Sequence, residues 1–125
     1  MIVLITGSAG YIGKNLYNFL IENSFKVFGL DKKKNKLLEC DILDYKKLEN
    51  IIREIKPDVI IHLAARTDLN GNKLSYYDVN TQGTKNIIKI ANSTQSIKKI
   101  IFTSSMLVND IQKKNFYCNV NYYDP

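Results

Sequence analysis

Gly7, Gly10 and Gly13 stand three residues apart directly after the apolar run Ile2-Val3-Leu4-Ile5, and they are half of the chain's six glycines. Glycines at that spacing, between a strand and a helix, suit one kind of chemistry. The first permits a tight turn, the second lets backbone approach a diphosphate, and the third lets helix pack closely on strand. The helix that follows points free N–H groups and its positive dipole end at the anion. Asp31 closes the next apolar run, Val27-Phe28-Gly29-Leu30. A carboxylate there accepts hydrogen bonds from both hydroxyls of an adenosine ribose, which favours NAD and repels a 2′-phosphate. Lys32, Lys33, Lys34 and Lys36 pull the other way, so NADP stays open as the second cofactor.

These residues need elements to hold them. Ile2–Ile5 reads as a first strand buried on both faces, and Ile12, Leu16, Phe19 and Leu20 form one stripe of a helix. Val27–Leu30 is a second strand and Leu37–Cys40 a short third. Asp44 caps the next helix, where Leu48, Ile51, Ile52 and Ile55 repeat at helical spacing, Glu49 pairs with Arg53, and Pro57 follows as a stop. Val59–Leu63 is a fourth strand. A longer helix spans about Ser75 to Asn92, with Thr84, Ile87, Ile88 and Ala91 inward, and Ile100–Phe102 is a fifth strand. Strands alternating with helices imply parallel crossovers: a doubly wound α/β sheet of about five strands, Rossmann-like, with ligands outside the carboxyl ends of the strands.

Composition narrows the classes. The longest apolar runs are too short to cross a bilayer. The first residues lack the basic region of a secretory signal, and Gly7 cuts their apolar run short. Cys40 and Cys118 show neither metal-ligand spacing nor a disulfide framework, so no metal is expected and the reducing cytosol is the expected compartment. The net charge of +6 invites a nucleic-acid reading. Against it, only Arg53 and Arg66 are arginines, and the lysines are scattered along the chain, which describes a solvated surface better than a nucleic-acid face.

The Gly7-x-x-Gly10-x-x-Gly13 pattern, continuing Tyr11-Ile12, resembles the extended short-chain dehydrogenase/reductase family of nucleotide-sugar epimerases, dehydratases and reductases. The resemblance runs through the chain in order. Asp41-Ile42 looks like the family's acidic-plus-apolar pair at the adenine pocket. His62-Leu63-Ala64-Ala65 looks like its fourth-strand motif, where small residues let the cofactor lie against backbone. Asp78-Val79-Asn80-Thr81-Gln82-Gly83-Thr84 is similar to its Asn-x-x-Gly-Thr helix signature, and Phe102-Thr103-Ser104-Ser105 to the strand end that presents a catalytic hydroxyl. The resemblance implies cofactor contacts from Gly7, Gly10, Tyr11, Ile12, Gly13, Asp31, Lys32, Asp41, Ile42, Leu63, Ala64, Ala65 and Thr103, and a catalytic role for Ser105. His62, the single histidine, reads as a packed core group, and Asn80 and Gly83 as residues that pin helix to sheet.

The family's reaction also uses a Tyr-x-x-x-Lys pair. Four residues after Tyr11, Tyr17, Tyr45, Tyr76, Tyr77 and Tyr117 stand Asn15, Ile21, Glu49, Asn80, Thr81 and Asn121. After Tyr122 and Tyr123 the chain stops at Pro125, so no pair is complete. Residues 1–125 therefore read as the N-terminal portion of a longer enzyme, a partial NAD(P)-binding domain without its substrate domain. It is expected to bind nicotinamide dinucleotide, to meet a nucleotide-sugar substrate only in a full-length form, and to self-associate through an uncovered sheet face. A non-enzymatic dinucleotide-binding module and an inactive remnant are the competing readings.

Overall fold

The computed structural model describes residues 1–33, 38–68, 70 and 73–104. Among the described residues the strands and α-helices run in order: β1 (Ile2–Thr6), α1 (Tyr11–Glu22), β2 (Lys26–Asp31), β3 (Leu38–Glu39), α2 (Tyr45–Ile55), β4 (Val59–His62), α3 (Thr84–Asn92) and β5 (Lys99–Phe102). The sheet is wholly parallel, in the order β3-β2-β1-β4-β5. This is the doubly wound α/β arrangement, and the direction of winding reverses between β1 and β4. Register makes the strand ends flush. Thr6 lies level with Leu30 of β2 and with His62 of β4, and His62 lies level with Phe102 of β5.

Each face of the sheet has its own core. Leu4, Leu30 and Ile60 pack against Leu48 and Ile52 of α2 and Ile87 and Ile90 of α3, all fully buried. Val3, Ile5 and Val27 face α1, where Leu16, Tyr17 and Leu20 cover them. Because successive strand side chains alternate, β1 feeds both cores, which is why its sequence is apolar throughout. At the opposite strand ends Asp58 ties three strands together. Its Oδ2 accepts from Ile2 N at 2.7 Å, its backbone carbonyl accepts from Lys98 N at 2.8 Å, and Lys98 Nζ sits 3.4 Å from Oδ1.

Local signals hold where chemistry is local. Asp44 Oδ1 accepts from Lys47 N at 3.1 Å, capping α2, and Arg53 meets Glu49 at 2.9 Å. Lys56 closes the helix in the left-handed region at φ 51°, its N–H donating to Ile52 O.

Two helix faces differ from the sequence expectation. In α1 the inward side is Gly13, Leu16, Tyr17 and Leu20, while Ile12 and Phe19 are 63% and 58% exposed. Gly13 sets that rotation, because only a residue without Cβ fits against the backbone of Gly7 and Ser8. The continuous helix expected from Ser75 is instead a 3₁₀ turn (Leu74–Tyr77), a π turn (Val79–Gly83) and then α3. The inward side of this run is Gly83, Asn86, Ile87, Ile90 and Ala91, and Ile88 is 40% exposed. Asn86 turns inward because its Nδ2 donates to Ile42 O at 2.9 Å and Leu43 O at 3.4 Å, while its Oδ1 accepts from Gln82 at 3.0 Å. On β5, Ile101 and Phe102 are 45% and 43% exposed. Among the described residues no helix is long and apolar enough to cross a membrane.

Candidate functional site

The flush ends of β1, β2 and β4 open into a cleft of about 600 Å³. Gly7, Ala9 and Gly10 of the turn after β1 form its floor, Leu30 to Lys33 one side, and Cys40 to Leu43 the next. Leu63 to Asp68, after β4, and Ser75, Tyr76, Asp78 and Val79 complete the wall. The sheet makes this possible because β1 lies between β2 and β4, so one turn touches both neighbouring strand ends.

The glycines are demanded by contact. Gly7 adopts φ +72°, and a Cβ there would lie 2.7 Å from Ala64 N and 2.8 Å from Leu63 C. At Gly13 a Cβ would fall on the carbonyl oxygen of Gly7 and 2.7 Å from Ser8 Cα. Gly10 is looser, its nearest neighbour being Gly7 O at 3.2 Å. α1 opens on Gly10 without a side-chain cap and without an acidic residue in its first turn. Its first amides therefore lie at the positive dipole end with no acidic residue in the helix's own first turn, which suits an anionic ligand.

Next to the glycine turn, Asp31 Oδ2 accepts from Ala9 N at 3.0 Å and Oδ1 accepts from Lys33 N at 3.0 Å. Gly83 lets α3 press on the Asp41–Leu43 wall, since a Cβ there would sit 2.5 Å from Ile42 Cδ1. Cys40, buried in that wall, has its thiol pushed up to about 11, chiefly by burial. Across the cleft, Asn80 clamps the backbone of Arg66 as another strand would: Oδ1 accepts from Arg66 N at 2.7 Å and Nδ2 donates to Arg66 O at 2.9 Å. The Arg66 guanidinium forks onto Asp68 at 2.7 and 3.0 Å and lies 5.1 Å from the Tyr76 ring centre. The side-chain hydrogen bond between Arg66 and Asp68 raises the arginine's pKa and holds the Asp68 carboxyl below its ordinary value.

Beneath the cleft a chain of hydrogen bonds fixes the proton on His62. Thr84 Oγ1 donates to Asn80 O at 2.9 Å, so it accepts from His62 Nε2 at 3.1 Å. Nδ1 is then the bare nitrogen and accepts from Thr6 Oγ1 at 2.7 Å, and Thr6 Oγ1 in turn accepts from Ala64 N at 3.3 Å. Every donor in this chain has a partner only while the imidazole is neutral. His62 is 5% exposed, and burial lowers its pKa from the ordinary 6.5. The unfolded chain thus takes up the proton first as pH falls. The stability that neutral His62 contributes is intact above about pH 6.5 and drains away below it, down through the folded value. Urea midpoints are expected to fall between pH 7.5 and 5.5 (roughly one unit either side of the ordinary histidine value), and the His62→Gln variant should flatten that slope. A wild-type midpoint that does not move over this interval would contradict the neutral-imidazole assignment.

The cleft brings together Gly7, Gly10, Asp31, Lys32, Asp41, Ile42, Leu63, Ala64 and Ala65. It does not include Tyr11, Ile12, Gly13 or Thr103. Tyr11 is 88% exposed on the outer side of α1, and Gly13 is buried under the turn. Thr103 instead ties to β4, its hydroxyl donating to His62 O at 3.3 Å. Ser105, Lys34, Lys36 and Cys118 lie outside the described residues. The sequence reading missed Ala9, Arg66, Asp68, Tyr76 and Asp78. The proximity of Arg66 and Asp68 to the His62–Ala65 motif, and the place of Asp78 at the start of the Asp78–Thr84 match, pointed to three of them, and the others reach the cleft through tertiary contact.

A parallel sheet wound 3-2-1-4-5, with a glycine turn and an uncapped helix at its switch point, defines a Rossmann-like α/β protein. The model of the NAD dependent epimerase/dehydratase family matches residues 3–116, and the chain belongs to that family. UDP-glucose 4-epimerase of Mycoplasma genitalium is 37% identical over 85% of this chain and 36% of its own length. GDP-6-deoxy-D-talose 4-dehydrogenase of Aggregatibacter actinomycetemcomitans is 38% identical over 71% of this chain and 30% of its own. Among solved structures, UDP-glucose 4-epimerase of Thermotoga maritima with UDP-glucose superposes with a TM-score of 0.76 at 26% identity, over 84% of this chain and 38% of that one. The chain thus spans about a third of the length of these relatives and corresponds to their N-terminal, NAD-binding portion.

Proposed function

We propose that this chain holds the adenosine diphosphate half of NAD in the cleft at the ends of β1, β2 and β4, as the binding portion of a nucleotide-sugar epimerase, dehydratase or reductase. The observation that carries this is the convergence of Gly7, Gly10, Asp31, Asp41 and Ile42 on one cleft in front of an uncapped helix. In this reading the amides of Gly10, Tyr11 and Ile12 face the diphosphate, with Gly7 and Gly13 making room. Asp31 takes the ribose hydroxyls, with Lys32 at the rim. Asp41 and Ile42 flank the adenine, and the Leu63-Ala64-Ala65 backbone lies along the cofactor. Thr103, just past β5, stands toward the reacting end, and Ser105 takes the catalytic hydroxyl role that the family resemblance implies. Bound NAD supplies a hydride acceptor, and its reduced form a hydride donor.

Calorimetry on the 125-residue chain tests the reading. Heat of binding is expected with NAD, and a weaker response with NADP because Asp31 opposes the 2′-phosphate. NADP binding at least as tightly as NAD would reverse the cofactor preference. No heat with either would leave the remnant reading.

A further inference from the structure

We propose that Asp31 is a positioning residue for the diphosphate as well as a receiver of the ribose. Its carboxylate latches the glycine turn and so couples the two subsites. This rests on the dinucleotide reading above, but its grounds are separate. Three successive amides of the turn reach the end of β2. Gly7 N and Ser8 N donate to Leu30 O at 2.9 and 3.3 Å, and Ala9 N donates to Asp31 Oδ2 at 3.0 Å. The other carboxylate oxygen accepts from Lys33 N at 3.0 Å, and the backbone carbonyl of Asp31 accepts from Cys40 N at 2.9 Å. One residue therefore joins the floor of the cleft, its lysine-bearing rim and the wall that carries Asp41 and Ile42.

The stoichiometry allows both roles. An ionised carboxylate offers about four acceptor sites, and the two amides use one on each oxygen. The remaining two match the two hydroxyls of a ribose. Ala9 has no other means of fixing its amide among the described hydrogen bonds. Gly7 and Gly10, which flank the Ser8-Ala9 pair, supply no side chain to stiffen the turn, and the buried Ser8 hydroxyl has no hydrogen-bond partner among the described residues, so the carboxylate does so. Amides bound to an ionised acceptor are held more firmly than amides bound to neutral groups.

Two measurements on the 125-residue chain test the latch. In the ligand-free protein, amide hydrogen exchange at Ala9 and Lys33 is expected to speed up at least tenfold in Asp31→Ala and less in Asp31→Asn, which keeps one acceptor. The β1–β2 ladder amides should stay protected. Unchanged exchange at Ala9, or an equal rise everywhere, overturns the proposal. In the second measurement, affinity is compared for ADP and for ADP lacking both ribose hydroxyls. If Asp31 served the hydroxyls alone, its replacement would leave the dideoxy ligand unaffected. If its charge alone mattered, replacement would strengthen binding of that anion. A threefold or greater weakening of the dideoxy ligand is the expected result, and no change or tighter binding overturns it. Should wild type bind neither ligand, the reading as an NAD site falls, and the exchange measurement still decides whether Asp31 holds the turn.

Discussion

Replacing Gly13 with alanine is expected to unfold much of the protein at temperatures where wild type is native. The added Cβ would land on the Gly7 carbonyl oxygen, with Ser8 Cα at 2.7 Å and Gly7 C at 2.9 Å. All three are backbone atoms, so no side chain can swing aside. Relief requires α1 to lift from β1 or the turn to open. Lifting α1 would uncover Val3, Ile5 and Val27, which Leu16, Tyr17 and Leu20 now cover. Overpacking a tight contact costs about 1–3 kcal/mol and sometimes more, against roughly 5–15 kcal/mol for a whole domain. At about 4–8 °C per kcal/mol for a domain near this size, a drop in melting temperature of roughly 10–20 °C is expected by circular dichroism. Gly10→Ala is the internal control. Its Cβ meets only Gly7 O at 3.2 Å, in a backbone conformation of φ −71° that any residue adopts. A Gly13→Ala melt within about 2 °C of wild type, less than the smallest cost considered, would show that the close approach is not what the site needs.

A preparation containing only these 125 residues is expected to bind NAD without turning over a nucleotide sugar. General acid–base catalysis needs a group that exchanges protons near neutrality and reaches the reacting atoms. The single imidazole is committed on both nitrogens, to Thr6 and Thr84, and burial lowers its pKa. The Cys40 thiol is buried and pushed up to about 11. Tyr76 borders the cleft, but the residue four places on is Asn80, which is occupied with the Arg66 backbone. Since no tyrosine in such a preparation has a lysine four residues on, an acid–base contribution of about 10²–10⁴-fold is expected to be lost from it. Chromatography of the nucleotide sugar after mixing with chain and NAD, or with the reduced cofactor, should show it unchanged. Product formation within tenfold of a full-length relative would show that another group performs the proton transfer.

The residue pattern carried the order and type of the strands, the capped second helix and the glycine turn. Each depends on residues a few positions apart: Asp44 on the Lys47 amide, Glu49 on Arg53, the Gly10 amide on the Gly7 carbonyl. It misjudged which sides of α1 and α3 face the sheet. There the apolar pattern was ambiguous, and a single distant contact decided the rotation. Gly13 against the Gly7 carbonyl turned Ile12 outward, and Asn86 against the Ile42 carbonyl turned Ile88 outward. The long helix expected from Ser75 broke for a similar reason. Asn80 gives its side chain to the Arg66 backbone and its carbonyl to Thr84, which bends the run into 3₁₀ and π turns before α3 begins.

By itself, then, the sequence determined that a glycine turn follows the first strand, that an acidic residue closes the second, and that none of the tyrosines from Tyr11 to Tyr117 has a lysine four residues on. These are properties of residue type and spacing, written locally. Only the tertiary structure decided which residues share the cleft, because β1 lies between two strands distant in sequence and sets one turn against both. It alone placed the proton on His62, since the tautomer depends on hydroxyls from β1 and α3. It alone joined Asp31 to Ala9, a contact across 22 residues that no spacing rule anticipates.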